Sequence, residues 1–199
     1  MSVLHRVLVI DGHPDPTARH LNHLLADAYA EGATEAGHEV RRLAIATLDF
    51  PLLRSQKDWQ DPQALPAALR PAQEDIAWCE HLVLFFLLWL GEMPALAKGF
   101  LEQVLRPGFA VEEDGANSVG SKALKGRSAR LVVTMGMPAL VYRWYFRAHS
   151  LKSLERNVLG FVGFAPIEET LVGGVDQLDA RALARWQGRM KRLGRSDGS

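Results

Sequence analysis

The sequence predicts a doubly wound α/β domain, an open five-stranded parallel sheet in the order 2-1-3-4-5 with helices on both faces. Two observations carry that prediction. The run Leu82 to Leu90 is apolar without alternation, which marks a strand buried on both faces, as at the centre of a parallel sheet. Short β-rich runs also alternate with stretches of helical apolar spacing along the whole chain, with no internal repeat, low-complexity tract or linker. The central run is about half the length that a membrane-crossing helix needs, so no membrane insertion is expected.

Arg6 to Asp11 is the first strand and feeds at once into Gly12-His13-Pro14. Leu21, Leu24, Leu25, Ala28, Tyr29, Gly32 and Ala36 then fall on one helical face, with Gly37 at the C-terminal cap position. Glu39 to Ala46 reads as a second strand, too rich in arginine for the sheet centre. A polar connection with Pro62, Pro66 and Pro71 follows, most of it expected as surface loop. Leu69, Ala72, Ile76 and Cys79 mark the helix before the central strand. Beyond that strand, Gly91-Glu92-Met93-Pro94 makes a sharp loop. Leu96, Phe100, Leu101 and Val104 then recur at helical spacing, with Pro94 acceptable in a first turn. Ala129 to Thr134 is a fourth strand, ending in the loop Met135-Gly136-Met137-Pro138. Tyr142 to His149 is unusually aromatic, and Leu151 to Leu159 reads as a helix with Ser150 as its N-cap. Glu169 to Gly173 is the last strand, and Leu183, Trp186, Met190 and Leu193 line the last helix. A single domain over residues 1–193 results, with residues 194–199 expected as a disordered tail.

Composition narrows the function classes. A chain of 199 residues suits one domain with a sizeable core. Lys plus Arg equals Asp plus Glu, 23 each, so charge points to neither nucleic acid nor an anionic membrane. The same balance weighs against a strongly acidic electron carrier. The single cysteine, Cys79, excludes an internal disulfide framework and a multi-cysteine metal site, and it reads as a small apolar residue behind the central strand. A secretory h-region and cleavage site are not seen, so a cytoplasmic location is the default expectation. Neither GxxxxGK[ST] nor GxGxxG occurs.

In open parallel sheets, ligands bind in the crevice outside the carboxyl ends of the strands. Three loops are expected to meet there. In Gly12 to Asn22, a helix N-terminus offers free N–H groups and partial positive charge to a phosphate, and His13, Thr17, Arg19 and His20 add side-chain donors. In Leu88 to Pro94, Trp89 reads as a flat wall. In Thr134 to Met137, Gly136 lets the backbone approach a ligand closely. The aromatic Tyr142 to Phe146 segment reads as a further wall for flat substrates.

One segment carries a resemblance. Leu87-Leu88-Trp89, Met93-Pro94, Lys98-Gly99-Phe100, Arg106 and Gly108-Phe109-Ala110 together resemble the flavin-site segment of the NAD(P)H:quinone oxidoreductases. That family includes the DT-diaphorase-like enzymes, the modulator-of-drug-activity proteins and the potassium-efflux ancillary reductases. Leu87 stands where the family has Pro. The resemblance runs from about Val7 to Val175 and implies a flavodoxin-like fold. It also implies a bound FAD, with FMN as the alternative, NAD(P)H as hydride donor, and a quinone or similar electrophile as acceptor at the same site.

By this resemblance His13 and Asn22 belong at the cofactor's phosphate end, with Arg19 where relatives often carry Ser. Leu88, Trp89, Leu90 and Met93 belong beside the isoalloxazine, as do Thr134, Met135, Gly136 and Met137, the last replacing a small residue. Tyr142 matches a family Tyr in register, and His149 a family His displaced by one residue. The pair would stabilise charge that appears near N1 and O2 when hydride reaches N5. The family's sites are built by two subunits, so a homodimer is implied, with apolar residues around Phe100 to Phe109 as candidate contacts. A regulatory subunit bound to a transporter and a flavodoxin-like electron carrier are the alternatives.

Overall fold

The computed structural model describes residues 4–112 and 121–197. Strands β1 (Arg6–Asp11), β2 (Glu39–Ala44), β3 (His81–Leu87), β4 (Ser128–Met135) and β5 (Ile167–Gly173) form one parallel sheet in the order β2-β1-β3-β4-β5. This is the order that the sequence predicts. The period of two along each strand divides the core. Leu8, Ile10, Leu82, Leu84, Phe86, Leu131 and Val133 point to one face, and Val7, Val9, Val83, Phe85, Val132 and Val172 to the other. Both faces are covered, which is why the central run cannot alternate with polar residues.

Helix α1 (Leu21–Glu35) and the last helix, α6 (Ala180–Ser196), cover the second face through Leu25, Tyr29 and Met190. Between α1 and α6 there is no room for side chains at the crossing: a Cβ at Gly32 would lie 2.0 Å from the Lys191 carbonyl oxygen. The first face is covered by α2 (Arg70–Trp78), α3 (Ala95–Val104), the short α4 (Ala139–Trp144) and α5 (His149–Ser153). Among the described residues, no helix is long and apolar enough to cross a membrane.

Several expectations are corrected. β2 ends at Ala44 and passes into a 3-10 turn at Ile45–Thr47. Its arginines do face outward at the sheet edge, Arg41 meeting Asp75 at 2.7 Å and Arg42 meeting Asp27. β3 stops at Leu87, so Leu88 to Leu90 belong to the following loop. α5 begins at His149 behind Ala148, whose φ of +47° needs no side-chain cap, and it continues through a π turn at Leu154–Leu159. Ser150 is therefore inside the helix, not its cap.

The tail is also corrected where it is described. α6 runs to Ser196, and Asp197 is buried against Arg130 with the Tyr29 hydroxyl donating to it at 2.9 Å. Gly198 and Ser199 lie outside the described residues. The expected dimer contacts fare differently from their apolar appearance: Phe100, Leu101, Val104 and Leu105 are buried in this chain's own core. Arg106 is buried too, donating to the carbonyl oxygens of Gln103, Asp58 and Asp61, and so pins the 50–65 connection onto the end of α3. A two-residue hairpin, Val111–Glu112 with Ser121–Lys122, was too short for any periodic signal.

Candidate functional site

The carboxyl ends of β1, β3, β4 and β5 open onto two adjoining cavities. The first, about 260 Å³, is lined by His13, His20, Leu21, Asn22, Leu87, Leu88, Trp89, Thr134, Met135, Gly136, Val175 and Asp176. The second, about 490 Å³, is mostly apolar and is lined by Leu88, Leu90, Gly91, Glu92, Met135, Gly136, Met137, Tyr142, Phe146, His149 and Ser150. Leu88, Met135 and Gly136 belong to both walls, so the cavities form one elongated crevice. A separate cavity of about 400 Å³ lies at the amino ends of the strands, beside His81, Ser128 and Asp197.

The polar end is built at the start of α1. Its N-cap, His20, makes no side-chain cap bond, so the first-turn N–H groups are left for a ligand. The His13 and His20 rings stack with centroids 3.9 Å apart. His13 Nδ1 accepts the Asp15 N–H at 3.1 Å, which leaves Nε2 of the neutral ring as a donor. Burial, then the neighbouring charges of His20 and His23, hold His13 below its ordinary value. For His23 burial acts downward as well, but the hydrogen bond and charge of Asp11 outweigh it and raise the group. Asn22 is buried. The Thr134 hydroxyl donates to its Oδ1 at 2.6 Å, and its Nδ2 has no partner among the described residues.

Two of the expected donors are not in this lining. Thr17 donates both its N–H and its hydroxyl to Asp15, at 2.8 and 2.6 Å, so its polar groups are already engaged. Arg19 is exposed and lies 3.7 Å from Asp27. Together, Thr17 and His20 hold the Asp15 carboxyl well below the usual range, the Thr17 bond being the larger cause.

The apolar end is shaped by the loop after β3. Leu88 N–H donates to the Thr134 carbonyl at 2.9 Å, tying this loop to the end of β4. Trp89 and Glu92 exchange two backbone hydrogen bonds of 2.9 and 3.0 Å around Leu90 and Gly91, whose φ values are +52° and +82°. Positive φ at both central positions gives a tight hairpin turn, costly for Leu90. Leu90 is fully exposed at the rim and Trp89 is half-exposed beside it. Met93, expected at the flavin, instead turns into the core. It is not among the residues lining either cavity.

Gly136 lies in the walls of both cavities. A Cβ there would stand 2.7 Å from Asp176 Oδ2. Asp176 and Val175, just past β5, were not singled out from sequence; the rule of loops at strand carboxyl ends would have found them, applied to the fifth strand as to the others. Tyr142 and His149 both line the apolar cavity. Tyr142 is only 2% exposed, and its hydroxyl lies 2.7 Å from Ser150 Oγ. Among the described residues, no group of three or more His, Cys, Asp or Glu is placed to hold a metal ion.

Comparison with known proteins follows the same lines. Residues 5–193 match a family model described as a flavodoxin-like fold. The chain is 25% identical over 178 residues to an uncharacterised NAD(P)H oxidoreductase of Haemophilus influenzae, covering 88% of this chain and 87% of that protein. Its structure is similar to that of an NAD(P)H:quinone oxidoreductase from Methanothermobacter marburgensis, with a TM-score of 0.79 at 22% identity, covering 97% of this chain and 96% of the other. It is also similar to an FMN-dependent NADH-azoreductase from Bacillus anthracis solved with FMN, with a TM-score of 0.72 at 14% identity, covering 96% and 98%.

Proposed function

This chain belongs to the flavodoxin-like fold family, and we propose that it is a flavin-dependent NAD(P)H oxidoreductase that reduces quinones or similar flat electrophiles. The observation that carries the reading is the crevice itself. Its polar end offers the His13 donor, an uncapped helix N-terminus and the orphaned Asn22 amide, and its other end is a flat-walled apolar cavity. A flavin mononucleotide moiety has that same division, an anionic phosphate and hydroxylated chain joined to a planar ring. The relatives' printed activities support the same reading.

A bound flavin would supply the two-electron chemistry, taking hydride from NAD(P)H and handing it to the acceptor. The residues here supply binding and orientation. His13, His20 and the α1 N-terminus seat the phosphate. Asn22, locked by Thr134, donates its amide to the chain or phosphate oxygens. The backbone at Leu88 to Leu90 and at Met135 to Met137 frames the ring. Trp89 and Phe146 wall the space where donor and acceptor take turns.

Leu90 and Phe146 in the lining of the apolar cavity are exposed, as are Leu140, Trp144 and Tyr145 in and just after the neighbouring α4. Apolar surface of this kind marks an interface. A second copy of the chain covers it in the proposed homodimer, in place of the expected contacts at Phe100 to Phe109, of which Phe100, Leu101, Val104 and Leu105 are buried in this chain's own core. The experiment that tests the reading is equilibrium titration of flavin-free protein with FMN and FAD, followed by flavin fluorescence. Tight binding of either one supports it, and binding of neither overturns it.

A further inference from the structure

The Tyr142 hydroxyl is not free to meet a ligand. Its oxygen accepts the Leu151 N–H at 3.3 Å and lies 2.7 Å from Ser150 Oγ, with the ring buried beneath α5. A phenol oxygen that already accepts one N–H keeps a single proton to give. A phenol is also a better donor than an aliphatic hydroxyl, which is the better acceptor. The proton between the two oxygens therefore runs from Tyr142 to Ser150. In that arrangement the Ser150 O–H has no other partner among the described residues, on a residue that lines the 490 Å³ cavity.

We propose that the Ser150 hydroxyl, held by Tyr142, is the donor this cavity offers to a carbonyl oxygen on a flat conjugated ring. Ser150 touches the ligand, and Tyr142 is its positioning residue. The inference rests on the oxidoreductase reading above. The ring oxygen belongs either to the flavin or to a quinone-like acceptor, both of which gain negative charge on that oxygen when reduced. A hydrogen bond to such an oxygen strengthens as charge accumulates, and the apolar Leu88, Met135, Met137 and Phe146 in the lining offer it little competition. The donor passes along a short chain, Leu151 N–H to Tyr142, Tyr142 to Ser150, and Ser150 to the ring. Each member fixes the orientation of the next.

The test compares wild type with Ser150→Ala, Ser150→Thr and Tyr142→Phe. Two quantities are read: the midpoint potential of the bound flavin, and the single-turnover rate at which benzoquinone restores flavin absorbance after reduction. If the oxygen is the flavin's, Ser150→Ala makes the potential more negative. If it is the acceptor's, the potential stays and the benzoquinone rate falls about tenfold. In either case Ser150→Thr behaves like wild type. Tyr142→Phe shifts the same quantity by less, because the hydroxyl remains but is no longer aimed. Tyr142→Phe also keeps the ring's packing, so it supplies the answer should Ser150→Ala not fold. An unchanged potential together with an unchanged benzoquinone rate in Ser150→Ala overturns the proposal. So does a larger effect in Tyr142→Phe than in Ser150→Ala, which would put the phenol itself on the ligand. Failure of the wild-type protein to bind flavin would instead overturn the underlying reading, and that is visible before any variant is made.

Discussion

The Thr134 hydroxyl, near the end of β4, donates to Asn22 Oδ1 in the first turn of α1 at 2.6 Å, and thereby fixes a buried amide whose Nδ2 has no partner. A buried donor without a partner costs free energy, and in the proposed flavin site a ligand oxygen would complete it. Asn22→Ala should weaken flavin binding roughly tenfold, the worth of about one hydrogen bond. Thr134→Val should weaken it less, since the amide survives but can rotate. The dissociation constant of FMN, from fluorescence quenching, decides the matter. An unchanged constant in Asn22→Ala would remove Asn22 from the site.

Gly136 and Asp176 make a second test. A methyl group at position 136 must displace the Asp176 carboxylate, which is the far end of a side chain and can move. Gly136→Ala should therefore cost little stability, within about 1 kcal/mol, while narrowing the wall shared by the two cavities. Flavin affinity should fall while the melting temperature barely changes. A large loss of stability with full affinity would show that Gly136 serves packing alone.

At the amino ends of the strands, Asp197 closes the C-terminal end of α6 onto Arg130 and Tyr29. Its removal leaves a buried guanidinium whose remaining carboxylate, Glu168, is largely exposed. Asp197→Ala should lower stability by about 3 kcal/mol in urea denaturation, with flavin affinity unchanged. Wild-type stability would mean that the end of α6 is not held by this network.

Glu155 predicts a pH dependence. Burial, then the charge and hydrogen bond of Glu169, push its carboxyl from 4.5 up to about 7. Lys152 and Arg156 oppose the shift, and Arg143 meets Glu169 at 2.9 Å from the other side. The folded state thus holds this proton more tightly than the unfolded chain. Its contribution to stability is fully present below the ordinary carboxylate value and is lost as pH rises to about 7. Glu155→Gln, which cannot ionise, should melt a degree or two above wild type at pH 8 and match it near pH 4. An equal difference at both pH values would assign the effect to packing.

How much of this was legible depends on how local the cause is. The central buried strand could be read from Leu82 to Leu90 because burial on both faces writes itself into every residue, and the sheet order followed from strands alternating with helices along the chain. The position of the crevice followed from the loops at strand ends. The strand's end at Leu87 could not be read, because it is set by Leu88 bonding to Thr134 across the sheet and by the Trp89 to Glu92 turn. Ser150 looks like a cap to any local rule, and only the fold brings the Tyr142 hydroxyl to it. The tail looked disordered because its anchor, Arg130, lies 67 residues away. Thr17 and Arg19 have the right chemistry for a phosphate, but Asp15 and Asp27 claim them first.

The central claim is hydride flow from a nicotinamide nucleotide through bound flavin to a quinone. It is tested most directly by mixing flavin-loaded protein with NADPH, and separately NADH, without oxygen, while following flavin absorbance. Rapid bleaching is expected with at least one nucleotide, at a rate that saturates with concentration, followed by full recovery of absorbance when benzoquinone is added. Flavin that stays bound and yellow with both nucleotides would contradict it.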